Sequence, residues 1–317
     1  IRLRKKGIQG TEILVFGPFF ESATEAIFEY NLTPVVSLVE QLHWLSESAS
    51  RRKQPIQVHL KFNTGMNRLG LSAEKASEIA DVIAKSKFIK LEGLCTHLAS
   101  AEDYFDPQGQ TREQICCFER ILKNFKNFSG HLHLCNSAGG VAQGLAGNNR
   151  FGARPGIALY GIKPKLKNLP DHLLQNYNEI VLKPVMTLKS EIITCHVLKG
   201  GEKVSYGGHW ISPHNSVVGV VPIGYADGYH RVLSNKGQLI FRGQRVPVVG
   251  IVCMDYIVAD LTKVVSSGEG LLGEPVVLFG EFESGHLPVE NLAQSAGTIS
   301  YELLSGIGKR VPRKYLK

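Results

Sequence analysis

Lys61 and Arg68 stand in the stretch KFNTGMNRLG, directly behind the alternating run IQVHL. Two cations on a loop at a strand end suit an anionic ligand; they suit equally well a solvated turn through Thr64 and Gly65. His97 closes a second such run, and Asn136-Ser137-Ala138-Gly139-Gly140 and Arg154-Pro155-Gly156-Ile157 follow two others. Small residues behind a strand let backbone N–H groups approach an anion closely. Ser137 adds a hydroxyl donor, and with the amides of Gly156 and Ile157 the set could cradle a phosphate. The plainer alternative is that Gly140 and Gly156 only supply tight turns. His131, His133 and Cys135 share one strand face at a spacing compatible with zinc. No fourth ligand is evident, however, and one strand face does not make a tetrahedron, so no metal is assigned. His97, taken alone, reads as a hydrogen-bonded structural histidine.

The elements that must position these residues follow a pattern. Strands are expected at 12–17, 33–38, 56–62, 91–98, 131–136 and 156–161. Between them, SAEKASEIADVIAKSK places Ala76, Ile79, Ala80 and Ile83 on one helical face, with Ser72 as N-cap. TREQICCFERILKNF does the same with Ile115, Phe118, Leu122 and Phe125. Strands separated by helices imply a parallel sheet. After about residue 180 the chain turns β-rich, with glycine turns and one helix near PVENLAQSAGTISYELLSGI, which suggests a second, mainly antiparallel β domain. The boundary is placed in the polar stretch 163–179, giving domains 1–178 and 179–317. Six βα-like units read as a TIM-type (β/α)8 barrel without its first two strands, with chemistry expected at the strand C-termini. The start on Ile1 rather than Met fits numbering that begins inside a longer product.

Bulk composition narrows the class. Of 317 residues, 43% are hydrophobic and 20% charged, which describes a globular chain rather than a disordered one. No apolar run is long enough to span a bilayer, and the basic N-terminus lacks the apolar core of a signal peptide. The six cysteines show no CxxC spacing, so a reducing compartment, the cytoplasm, is expected. The net charge of +8 comes mainly from clusters such as RLRKK, SRRK and KRVPRK; without nucleic-acid-binding motifs they read as a solvated basic surface.

Together, KFNTGMNRLGL, THLASAE, HLCNSAGG, RPGIALYG, VSYGGHW, PIGYADGYHR, VVGIVCMDYIVADLT and YELLSGIGKRVPRKYL resemble the alanine racemases, in order and across essentially the whole chain. The resemblance implies a (β/α)8 barrel followed by a β domain, pyridoxal phosphate (PLP) as cofactor, and two-base interconversion of L- and D-alanine for peptidoglycan. It implies a homodimer with sites shared between subunits. Arg154 would bond the PLP ring nitrogen. Ser137, Gly156 and Ile157 would hold the phosphate, and His97 would join the network around Arg154. Tyr206 would act as the base toward L-alanine. A phenol ordinarily ionises only near pH ~10, so it needs cationic or hydrogen-bonding neighbours. Arg68 and the Met254 amide would hold the substrate carboxylate. Lys61, often carbamylated in this family, would orient Arg68; Tyr225 and Asp255 would lie near the entrance.

Three departures accompany the resemblance. The lysine that carries the coenzyme, in a Lys-x-Asn/Asp-Ala-Tyr-Gly-His stretch, has no match in residues 1–317, so these residues by themselves are expected to lack normal racemase activity. Asn63 stands where an Asp is usual, and Ile251 where an Arg often precedes Cys-Met-Asp. The alternatives are a broader serine or lysine racemase of the same fold, and a non-catalytic PLP-binding homologue.

Overall fold

The computed structural model describes residues 1–282 and 285–316. The chain forms two compact units, Ile1–Leu182 and Lys183–Lys317. In the first, strands β1 (Leu14–Val15), β2 (Thr33–Val36), β3 (Ile56–Asn63), β5 (Ile89–Cys95), β6 (His131–Cys135) and β7 (Gly152–Ala153) lie side by side in chain order. All these pairs are parallel, and the short β4 (Leu71–Ser72) pairs with β3. The helices of this unit are α1 (Arg2–Lys5), α2 (Thr24–Glu29), α3 (Val39–Arg52), α4 (Ala76–Lys85), α5 (Gln110–Leu122), α6 (Ser137–Leu145) and α7 (Asp171–Glu179). Successive parallel strands joined through helices make the curled wall of a (β/α) barrel.

The period-2 pattern of β3 explains how this wall is built. Val58, Leu60 and Phe62 are fully buried in the core shared with Leu42, Leu45 and Ala49 of α3 and Phe118 and Ile121 of α5. The intervening His59 and Lys61 are also buried, at 1% and 6% exposure. One face of the strand therefore serves the helices, while the other carries polar side chains out of water. Leu132 and Leu134 of β6 join the same core, and His133 takes the opposite phase.

The strand expected at 156–161 is not one. Residues Ile157–Tyr160 form a 3-10 turn, and the last parallel strand is the shorter Gly152–Ala153. The i→i+3 bonds Leu159 N–H to Gly156 O and Gly161 N–H to Ala158 O close that turn. Only Ile157 is buried, whereas Leu159 and Tyr160 face out, so the run lacks the two-sided burial of a central strand.

In the second unit, β8 (Leu188–Glu191), β9 (Thr194–Leu198), β12 (Ser216–Val221), β13 (Gln238–Phe241), β14 (Gln244–Val249), β15 (Ile257–Asp260), β16 (Pro275–Phe282) and β17 (Gly285–Leu287) form an antiparallel sheet in the order β17-β16-β13-β14-β15-β12-β9, with β8 also on β16. Strands β10 (Lys203–Val204) and β11 (Trp210–Ile211) make a separate antiparallel pair. The single terminal helix expected near residues 288–307 is two: α8 (Val289–Ala296) and α9 (Ser300–Gly306). Gly297, at φ +67°, ends α8 in the left-handed region, where glycine carries no Cβ penalty.

Candidate active site

The opening motif forms a braced loop at the end of β3. The Asn63 carboxamide oxygen accepts the amides of Gly65 and Asn67, at 3.2 and 3.0 Å, and its NH2 group donates to the Asn67 side chain. The Thr64 hydroxyl meets that of Thr96 at 2.8 Å. Gly70, at φ +141°, lies so close to β3 that a Cβ there would stand 2.5 Å from the Asn63 nitrogen. The loop thus returns across the strand, where Lys61 Nζ donates to Leu69 O at 2.6 Å. Arg68 is exposed at its rim. Burial, reinforced by Arg68 and Arg154, lowers the Lys61 ammonium from its ordinary value, although the Cys95 thiol acts in the opposite sense.

Arg154, just after β7, organises the next cluster. Its Nη1 donates to His133 Nδ1 and to His133 O, both at 2.7 Å; its Nη2 donates to Thr96 O at 2.8 Å and to His97 Nδ1 at 3.2 Å. The guanidinium also lies 5.2 Å from the ring centroid of Phe16. His97 is pushed down to about 4, by burial first and then by Arg154, Arg68 and Lys61. His133 is pushed down to about 3 by burial and Arg154. Both imidazoles are neutral near pH 7, as they must be to accept from a guanidinium. Among the described residues no group of three or more His, Cys, Asp or Glu side chains gathers in a metal-binding arrangement. His133 instead faces Arg154 and His59, while the His131 ring stacks against His59 at 6.3 Å.

The residues expected to cradle a phosphate meet around Ser137. The buried Ser137 hydroxyl oxygen accepts the amides of Gly156 and Ala158, at 2.9 and 3.2 Å. With both contacts accepting, the Ser137 proton is free to donate to an anion. Asn136 caps α6 through Gly139 N–H at 3.1 Å, and that helix N-terminus adds favourable dipole. A Cβ on Gly156 would meet nothing within 4 Å, so open space adjoins these donors. The guanidinium supplies the second half of a fit to PLP. Its four Nη protons are committed to His133, Thr96, His97 and, at 3.4 Å, Leu134 O, leaving Nε–H without an acceptor among the described residues. One donor suited to a ring nitrogen and one hydroxyl suited to a phosphate match that coenzyme chemically.

In the second unit, Tyr206 begins a 3-10 turn between β10 and β11, with Ser205 at φ +63° before it and Gly207 and Gly208 at φ +69° and +58° after it. Ser205 Oγ donates to Ile251 O at 2.8 Å, and Gly250 permits that approach, because a Cβ there would lie 2.7 Å from Ser205 Cβ. Tyr225 N–H and Ala226 N–H donate to Cys253 O and Met254 O. Three loops are thereby tied together, presenting Tyr206, Tyr225 and Met254 with exposures of 73%, 43% and 52%. Tyr206 is a turn residue rather than a strand residue packed on its glycines.

Composition did not single out Asp227 and Arg310, yet they hold these loops. Arg310 donates to both Asp227 carboxylate oxygens, at 2.6 and 3.1 Å, and to Asp255 at 2.6 Å. Asp227 also accepts Gly224 N–H at 2.9 Å. Burial raises the Asp227 carboxyl, but the contacts from Arg310 and Gly224 outweigh it and hold the group below its ordinary value. Its contribution is therefore complete above the unfolded-state value of about 3.9 and is lost as pH falls through the lower folded-state one. Asp227→Asn is expected to cost about 1–3 kcal/mol in urea unfolding at pH 7. The gap from the parent should narrow progressively below pH ~4; a gap independent of pH would show that charge is not the cause.

Comparison with known proteins agrees with this geometry. Residues 1–164 match the family model for the alanine racemase N-terminal domain, and 185–315 that for the alanine racemase C-terminal domain. The alanine racemase of Thermodesulfovibrio yellowstonii is 37% identical over 100% of this chain and 79% of its own length, and that of Geobacter sulfurreducens 37% over 100% and 80%. Among solved structures, the Clostridium difficile alanine racemase superposes with a TM-score of 0.82 at 30% identity, covering 98% of this chain and 77% of that one. A Bartonella henselae alanine racemase with covalently bound pyridoxal phosphate gives 0.83 at 26% identity, covering 98% and 81%. Fold, donor set and sequence converge, and the chain belongs to the alanine racemase family, the PLP-dependent isomerases that interconvert L- and D-alanine.

Proposed function

We propose that the first unit of this chain holds PLP and that the second completes the site of a twofold-related partner. The observation that carries this reading is the unshared Nε–H of an otherwise fully committed Arg154. When bound, the coenzyme supplies the electron sink that acidifies the substrate α-carbon. Arg154 keeps its own proton at any ordinary pH, so it orients the ring nitrogen without protonating it. His97 and His133, neutral near pH 7, act as acceptors and bring no competing acid to the site. Ser137 donates to the phosphate, flanked by the Gly156 and Ile157 backbone. Tyr206 exchanges the α-proton on the L face, and Arg68 with the Met254 amide holds the carboxylate.

Lys61 is assigned as the orienting group behind Arg68. Its lowered value favours the neutral amine, the form that adds carbon dioxide with release of a proton, and the resulting carbamate would replace a repelling cation with an attracting anion. Tyr225 and Asp255 are assigned to the entrance. Dimerisation is supported by the exposed Tyr206, Tyr225 and Met254, which form an apolar and aromatic cluster suited to burial against a partner. Six free cysteines support a reducing, cytoplasmic setting, and no helix among the described residues is long and apolar enough to cross a membrane.

The test follows from the lysine. Residues 1–317 titrated with PLP should bind it reversibly, and borohydride should then leave no stoichiometric covalent label. Interconversion of alanine should require a segment carrying the Lys-x-Asn/Asp-Ala-Tyr-Gly-His stretch, and with it alanine should turn over faster than serine or lysine. Preference for serine or lysine would reassign the chain to the broader racemases. Racemisation by residues 1–317 alone would remove the lysine argument.

A further inference from the structure

His59 lies on the polar, buried phase of β3 and has no place in the roles assigned above. Its Nδ1 stands 2.7 Å from His133 Nε2. On the adjacent strand its register partner is Gly93, where a Cβ would fall 1.9 Å from His59 Nδ1, so the imidazole occupies the space a side chain on β5 would need.

The proton order in this cluster is determined by its first member. A guanidinium can only donate, so His133 Nδ1 is unprotonated. His133 is neutral, so its proton sits on Nε2 and is donated to His59 Nδ1. His59 in turn carries its proton on Nε2, which is buried without a hydrogen-bond partner and lies 3.9 Å from the Glu12 carboxylate. His59 is lowered from its ordinary value, chiefly by burial and with smaller contributions from His131 and Arg154, against Glu12 and Glu92. The chain therefore runs in one direction, from Arg154 through His133 to His59, and each bond polarises the next.

We infer that His59 is a positioning residue: by accepting from His133 it fixes the imidazole on which Arg154 is oriented, and so the aim of the Arg154 Nε–H. The inference rests on the assignment of Arg154 to the PLP ring nitrogen, but its first test does not involve the coenzyme. In coenzyme-free protein, long-range proton–nitrogen spectra should show His133 protonated on Nε2 only, with a single Arg154 side-chain signal. His59→Leu removes the acceptor and should lose or broaden both signatures. His59→Asn, whose carboxamide oxygen can stand where Nδ1 was, should restore them. Gly93→Ala, which displaces the imidazole without removing it, should behave like His59→Leu and decides the matter if that variant does not fold.

The second readout is PLP affinity by absorbance titration. His59→Leu should weaken it on the order of tenfold, as loss of an orienting partner does elsewhere, and His59→Asn should recover most of that loss. Unchanged His133 and Arg154 signals in both His59→Leu and Gly93→Ala, or equal loss in the Leu and Asn variants, would overturn the positioning role. If the spectra change as expected and PLP affinity does not, while Arg154→Lys is also silent, the assignment of Arg154 to the coenzyme fails and the His133–His59 link stands.

Discussion

Tyr206→Phe is expected to lower the rate of L-alanine turnover by about 10²–10⁴-fold, the range general acid–base catalysis typically contributes, in enzyme supplied with the coenzyme-bearing lysine. The substitution removes one oxygen and little else. Tyr206 is 73% exposed, and its hydroxyl makes no hydrogen bond among the described residues, so stability should stay within about 0.5 kcal/mol. The turn itself depends on Ser205 donating to Ile251 and on the left-handed Gly207 and Gly208, none of which phenylalanine disturbs. PLP affinity should likewise be unchanged, because the residues assigned to the coenzyme lie on the first unit. The decisive measurement is solvent deuterium exchange at the α-carbon, followed separately for the two isomers. Loss of exchange from L-alanine with retained exchange from D-alanine fits a base on one face only. Equal loss from both would mean that the phenol positions substrate rather than moving a proton, and unchanged L-exchange would remove the role altogether.

The parallel wall was legible in the sequence because strands β2, β3 and β6 carry strong β-branched or aliphatic alternation and the intervening helices an amphipathic stripe. The run 156–161 misled because Ile157-Ala158-Leu159-Tyr160 is apolar enough for a strand; what bends it is the set of local bonds around Gly156 and Gly161, and amides drawn to a hydroxyl far away in sequence. The terminal helix was read as one because Gly297 interrupts a periodic pattern without a proline to announce the stop. The sequence offers Arg154, His97 and Ser137 as candidates, and the structure brings Arg154 to His97 and Ser137 to Gly156. His133 was read only as a possible zinc ligand and His59 not at all. The usable signal was an imidazole on the polar phase of a two-sidedly buried strand, beside a glycine on the next. Pairing His59 with Gly93 and His133 requires the register of three strands, which periodicity along one strand does not contain. Asp227 and Arg310 were invisible for the same reason, being far apart in sequence.

Arg154→Lys separates charge from shape at the most connected residue of the site. If the positive charge alone mattered, lysine would substitute well, since both side chains are cationic near neutrality. The geometry argues otherwise. Arg154 serves His133 Nδ1, His133 O, Thr96 O and His97 Nδ1 from a rigid fork and still has Nε–H to offer. An ammonium has three donors on a flexible stem, so it leaves at least one of these four acceptors unserved and has no counterpart of Nε–H. An unserved buried acceptor costs about 1–3 kcal/mol, and misplacement of the remaining donor removes the orientation of the ring nitrogen. In enzyme supplied with the coenzyme-bearing lysine, alanine kcat/KM is therefore expected to fall on the order of 10²-fold or more, equivalent to about 2.7 kcal/mol at 1.36 kcal/mol per tenfold. PLP affinity should weaken in parallel, and thermal unfolding should shift to lower temperature. Retention of both PLP affinity and turnover in the lysine variant would show that a point charge suffices and that the hydrogen-bonded fork serves folding only. Retained stability with lost affinity would place the whole effect on the single proton that Arg154 keeps for its ligand.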